Sequence, residues 1–211
     1  MSEADPSYWP RVLISGAGGG VGLACAEALE VCGAELVLCD TDGAALNKAA
    51  ARLGAFSRYC DVAGDNSVAI FASEIAERFT SIDVLINAAG SGYVRTLTMA
   101  RMTRAFIPLL RRGTGRRMII NIAANDEAVS TDGMFPYASS PGAFEQLSEA
   151  LAVDVKGTSI EVVTVVPRRL CASLGNSCSL NPLYQLRGVD RASTANWVAS
   201  LLFQNRDRRR A

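Results

Sequence analysis

Short apolar runs alternate with stretches of helical periodicity along most of the chain. Arg11–Ser15 is an apolar run that breaks on a glycine cluster, the pattern of a strand entering a tight turn. Val21, Ala24, Cys25, Ala28, Leu29 and Cys32 then recur at helical spacing, and Gly33 supplies a stop. The same alternation predicts further strands over Glu35–Asp40, Phe56–Val62, Val84–Asn87, Arg117–Ile122 and Ile160–Val166. It predicts helices over Ala44–Leu53, Asn66–Phe79, Thr96–Arg112, Pro141–Val155 and Ser193–Phe203. Strands this continuously apolar suit a parallel sheet covered on both faces. The β-α order repeats from Arg11 to Val166, so the expected fold is α/β: a doubly wound parallel sheet of about six strands in a three-layer arrangement. Residues 1–10 are polar, hold two prolines and read as a flexible arm. Residues 11–205 read as one domain, and the basic residues 206–211 as a solvated tail or a contact for an anionic partner.

Composition narrows the function classes. The 211 residues carry 21 basic and 21 acidic side chains, so no overall basic field points to nucleic acid. Histidine is absent, which removes the commonest general base and the commonest metal ligand. The cysteines are Cys25, Cys32, Cys39, Cys60, Cys171 and Cys178; none forms a C-x-x-C pair, and no metal site is expected. Scattered thiols fit a reducing compartment. No apolar run is long enough for a membrane span and the N-terminus is no signal peptide, so a cytoplasmic protein without a membrane partner is expected. Arginine supplies nearly all the positive charge; the only lysines are Lys48 and Lys156.

The glycine cluster Ser15-Gly16-Ala17-Gly18-Gly19-Gly20-Val21-Gly22 lies between the first strand and the first helix. In a Rossmann-type unit that is where a dinucleotide pyrophosphate rests, because glycines let the backbone approach phosphate and the helix N-terminus offers N–H donors. A plain glycine-rich loop is the alternative, and the acidic end of the second strand weighs against it. Ser15, Gly16, Gly19, Gly20, Val21 and Gly22 are therefore candidate cofactor contacts. Asp40 stands eighteen positions after Gly22, where a carboxylate accepts from adenosine ribose hydroxyls and repels a 2′-phosphate. The other reading of Asp40 is a helix N-cap. No Lys or Arg in the glycine turn or directly after Asp40 would hold a 2′-phosphate, which favours NAD(H) over NADP(H).

At these positions the chain resembles the short-chain dehydrogenase/reductase family. Ser15, Gly16, Gly20 and Gly22 match its T-G-x-x-x-G-x-G motif with Ser for Thr. Cys60-Asp61-Val62 resembles the D-V element after the third strand, and Asn87-Ala88-Ala89-Gly90 resembles the N-A-G turn. Tyr137-Ala138-Ser139-Ser140 starts like the catalytic Y-x-x-x-K segment. The resemblance covers roughly Arg11 to Pro167 and adds Asp61, Val62, Asn87, Ala88, Ala89 and Gly90 as cofactor contacts and Tyr137 as the catalytic residue.

The departures concern the proton-transfer residues. The family's Ser, thirteen residues before the Tyr, is Ala124 here, and its Lys, four residues after, is Pro141. Its helical Asn aligns with Thr96, the Gly after Pro167 is Arg168, a nicotinamide-holding Thr aligns with Ala172, and the last strand is missing. A free phenol has a pKa near ~10, and bringing it to ~7 takes about 4 kcal/mol of differential stabilisation. The family's Lys supplies it by placing a cation nearby. Lys156 lies fifteen residues past Pro141, about 22 Å along a helix. Tyr137 is thus either a catalytic acid–base or an aromatic packed beside the sheet edge. Two functions follow: an NAD-dependent oxidoreductase with impaired or absent carbonyl/alcohol hydride transfer, or a non-catalytic NAD(H) sensor or inactive subunit beside an active relative. Family members pair through helices matching Thr96–Arg112 and Pro141–Val155, so a homodimer is expected, with Leu97, Met102, Phe106, Leu109 and Leu110 as its apolar stripe; the alternative is that this stripe only packs on the sheet. The substrate is not legible.

Overall fold

A computed structural model describes residues 9–90, 92–123, 141–165 and 191–203. Their strands are β1 (Arg11–Ser15), β2 (Glu35–Asp40), β3 (Phe56–Tyr59), β4 (Val84–Asn87), β5 (Arg117–Ile122) and β6 (Ile160–Val165). The helices are α1 (Gly20–Val31), α2 (Gly43–Leu53), α3 (Asp65–Arg78), α4 (Gly92–Leu110), α5 (Pro141–Asp154) and α6 (Arg191–Phe203).

All six strands run parallel in the order β3-β2-β1-β4-β5-β6. This is a three-layer Rossmann-type sheet, as the alternation predicts. Strand alternation sorts the core into two layers. Val12, Ile14, Leu36, Leu38, Val84, Ile86, Met118 and Ile120 face α1, α2 and α6. Leu13, Val37, Cys39, Leu85 and Ile119 face α3 and α4. Each fully buried aliphatic side chain contributes about 1.5–3 kcal/mol. The pairing of α6 with α1 is the most extensive helix contact among the described residues.

The boundaries differ from expectation at three places that matter for the site. β3 ends at Tyr59, short of Val62, because Asp61 folds into a turn in which its Oδ1 accepts from the Ala63 N–H at 2.9 Å. α4 begins at Gly92 rather than Thr96, so the stretch before Thr96 joins the helix. The apolar stripe of α4 is also not a free face. Met102, Phe106, Leu109 and Leu110 are buried in the core beneath the sheet, and only Leu97 stays exposed, at 53%. Tyr137, Ala124, Arg168, Ala172, residues 1–8 of the N-terminal arm, the basic tail and any strand after α6 fall outside the described residues, while the Pro10 carbonyl accepts from the Glu35 N–H at 3.0 Å.

Candidate functional site at the strand switch point

The strand order reverses between β1 and β4, and the C-terminal ends of both strands open onto one crevice. In open parallel sheets that crevice is where ligands bind. A cavity of about 330 Å³ lies there. Of the predicted residues, Gly16, Asp40, Asp61, Val62, Ala88, Ala89 and Gly90 line it, together with Thr41, Cys60, Ala63 and Thr98.

The glycine turn is held by close backbone approach. Gly16 has φ +75°, and a Cβ there would lie 2.9 Å from Ala89 backbone atoms. A Cβ on Gly22 would lie 2.1 Å from the Gly16 carbonyl oxygen. The Gly16 and Ala17 N–H groups both donate to the Cys39 carbonyl, at 2.9 and 3.2 Å, which ties the turn to β2. Ser15 is buried beneath the turn; its hydroxyl donates to the Ile86 carbonyl and accepts from the Ala89 N–H, both at 3.4 Å. Gly19 is the N-cap of α1 in extended conformation and offers no side-chain acceptor to the first helical turn. Gly19 and Gly20 face solvent, with Val21 and Gly22 following in the helix. An uncapped helix start beside exposed glycines suits an anion.

Asp40 faces this turn. Its Oδ2 accepts from the Gly18 N–H at 2.8 Å and its Oδ1 from the Asp42 N–H at 3.0 Å. Each oxygen keeps a lone pair for a hydroxyl donor. The helix N-cap is Asp42, whose side chain accepts from the Ala45 N–H at 3.0 Å, so the capping alternative for Asp40 belongs two residues further on.

Opposite Asp40, the Asp61 N–H donates to Ser67 Oγ at 2.9 Å and the Gly64 N–H to the Asp61 carbonyl at 3.1 Å. Val62 is buried, and its carbonyl accepts from Arg101 Nη1 at 3.1 Å while Arg101 Nε pairs with Asp65. That guanidinium holds the Asp65 carboxyl below its ordinary value by hydrogen bonding and charge. At the far end, Thr98 Oγ1 donates to the Arg95 carbonyl at 2.9 Å, and Arg95 Nε donates to the Gly90 carbonyl at 2.9 Å.

Asn87 does not face the cavity. It is buried in a polar chain that joins four elements, β4, β5, α4 and α5. Its Nδ2 donates to Asn121 Oδ1 at 2.9 Å and to Thr103 Oγ1 at 3.3 Å. Asn121 Nδ2 donates to Ser148 Oγ at 3.1 Å, and Ser148 Oγ contacts Met99 Sδ at 3.5 Å. Thr103, Asn121 and Ser148 carry no motif of their own. The available signal is that two apolar strands each run into Ile-Asn, and the register pairs Asn87 with Asn121.

A parallel sheet in this order with a glycine turn at its switch point defines the Rossmann class. Within that class the chain belongs to the short-chain dehydrogenase family, whose model, described as short chain dehydrogenase, matches residues 10–177. The chain is similar to an L-fucose dehydrogenase of Bos taurus, 27% identical over 77% of this chain and 67% of that one. It is also similar to a solved short-chain dehydrogenase from Streptomyces avermitilis, with a TM-score of 0.65 and 28% identity over 77% of this chain and 66% of that one. The chain thus spans about two thirds of the length of these two relatives. A metagenomic short-chain oxidoreductase solved with NADP shares the fold, at a TM-score of 0.68 and 22% identity over 92% of this chain and 90% of that one.

Proposed function

We propose that the chain binds NAD(H) in the crevice between β1 and β4 and carries out ordinary carbonyl or alcohol hydride transfer slowly or not at all. The observation that carries the cofactor reading is the Asp40 carboxylate, fixed by the Gly18 and Asp42 N–H groups on the cavity wall. Asp40 would accept from the adenosine ribose hydroxyls, and its charge opposes a 2′-phosphate. The opened start of α1 from Gly20 would take the pyrophosphate, Asp61 and Val62 would bound the adenine, and Ala88, Ala89 and Gly90 would lie along the adenosine. Bound there, the nicotinamide group supplies or takes the hydride. Calorimetry should give tighter binding of NAD(H) than of NADP(H), and Asp40→Ala with Thr41→Arg should reverse the order. Equal or tighter NADP(H) binding by the unaltered chain would overturn this reading.

The reading of weak catalysis rests on sequence: Ala124 donates no hydrogen bond to a substrate oxygen, and Pro141 supplies no cation to Tyr137. Positioned acid–base groups contribute about 10²–10⁴-fold. A non-catalytic NAD(H) sensor, or an inactive subunit beside an active relative, is the second reading, favoured by the same two residues. The family relation supports a homodimer across α4 and α5, where Leu97 and Val153 remain exposed at 53% and 69%.

A further inference from the structure

Two thiols stand together behind the cavity wall. Cys39 is the penultimate residue of β2 and is fully buried. Cys60 follows β3 directly, is 1% exposed, and contributes to the cavity lining. Both pack in the core layer facing α3 and α4, so their side chains share one face of the sheet. The register pairs Cys39 with Arg58, and the Cys60 N–H continues the ladder by donating to the Asp40 carbonyl at 3.1 Å. Cys60 therefore sits diagonally across from Cys39. Ser67 Oγ donates toward the Cys60 sulfur at 3.8 Å.

The pair is chemically unequal. The hydrogen bond from Cys39, with help from Ser67 and against the effect of burial, draws the Cys60 thiol below its ordinary value. The same contact, together with burial, pushes Cys39 well above its own. A thiol on the cavity wall with a second thiol fully buried behind it on the same sheet face matches the arrangement of an attacking and a resolving cysteine.

We propose that Cys60 is a site of oxidation by hydrogen peroxide, resolved by Cys39 into a disulfide that closes the adenosine end of the crevice. The Cys60 thiolate attacks one peroxide oxygen; the O–O bond breaks, and the leaving hydroxide takes up the thiol's proton as water. Cys60 is left as the sulfenic acid. The Cys39 sulfur then attacks the Cys60 sulfur; the S–O bond breaks, and hydroxide leaves with the Cys39 proton as a second water. Two thiols lose two electrons, and the peroxide is reduced to two waters.

The coupling to binding follows from reach. Residues two positions out of register on neighbouring parallel strands lie roughly 8 Å apart, whereas a disulfide needs Cα atoms within about 6.8 Å. Bond formation therefore draws Cys60 toward β2. Cys60 lies just past the end of β3 and leads directly into Asp61, Val62 and Ala63, which line the cavity. Oxidation moves that wall, and a ligand held against the wall opposes oxidation.

The effect on binding rests on the cofactor reading above; the dithiol pairing does not. The full chain is treated with hydrogen peroxide, its remaining thiols are alkylated, and the digest is examined by mass spectrometry, in parallel with NADH titration by fluorescence. The expected result is a Cys39–Cys60 linked peptide, loss of NADH binding, recovery of both by dithiothreitol, and slower linkage when NADH is present. In Cys39→Ser the link is absent and dimedone traps Cys60 as the sulfenic acid. Oxidation of other cysteines while Cys60 stays unmodified overturns the proposal, and so does a linked chain that still binds NADH as the reduced chain does. A reduced chain that binds no NADH removes the cofactor reading instead, and the linked peptide alone then decides the dithiol pair.

Discussion

A methyl group on Gly22 would meet the Gly16 carbonyl oxygen at 2.1 Å, with backbone rather than a flexible side chain in the way. Gly22→Ala should cost upwards of about 1–3 kcal/mol, the usual range for overpacking, and abolish NADH binding. Denaturant unfolding and fluorescence titration check the two effects separately. This position was legible in the sequence because a motif of spaced glycines reports a backbone demand. Asp40 was legible for a different reason: an acid closing an apolar strand has few roles. Two acids two residues apart left the capping role open, and only the Asp42 bond to the Ala45 N–H assigns it. Thr103 and Ser148 were not legible, since a single polar residue in an apolar stretch has no meaning until its partner is known; for Asn121 the only signal was the Ile-Asn that ends both strands.

Strand β5 and helix α5 are joined through one buried bond, Asn121 Nδ2 to Ser148 Oγ. Ser148→Ala would leave a buried amide donor without its acceptor, a loss of about 1–3 kcal/mol. Equilibrium unfolding in urea should show a lower midpoint with an unchanged slope; an unchanged midpoint would mean that the amide finds another acceptor. Element boundaries were read less well than element existence. β3 was extended three residues too far because Cys60-Asp61-Val62 is apolar enough to continue a strand, while the Asp61 turn that stops it is a local side-chain bond. α4 was started late because Gly92 and Tyr93 lack helical periodicity in the sequence.

The parallel three-layer sheet is legible in the β-α alternation, because parallel strands joined by covering helices leave few topologies; its order is set by the structure. Assembly was harder to read. The stripe Met102, Phe106, Leu109 and Leu110 suits either a partner surface or the sheet, and its burial in the core decides for the sheet. The dimer across α4 and α5 is still expected, now through Leu97 and Val153, and light scattering at micromolar concentration should give twice the chain mass. A monomer mass removes it. On catalysis, turnover of simple ketones with NADH should be slow or undetectable, and Ala124→Ser with Pro141→Lys should raise it. Turnover of tens per second by the unaltered chain would show that another group carries the proton.

The packing of α6 on α1 has a consequence in time. Ala195, Val198 and Ala199 cover the face of α1 that holds Ala26 and Leu29. On a ribosome, the helix that follows the glycine turn emerges early, and the helix that shields it emerges about 160 residues later by position in the sequence. At roughly 5–20 residues per second, that gap lasts on the order of ten to thirty seconds. Until it closes, the nascent chain carries an exposed apolar helix next to an unfinished ligand site. A chain released before residue 191 would keep every glycine of the turn and lack the cover that holds its helix in place.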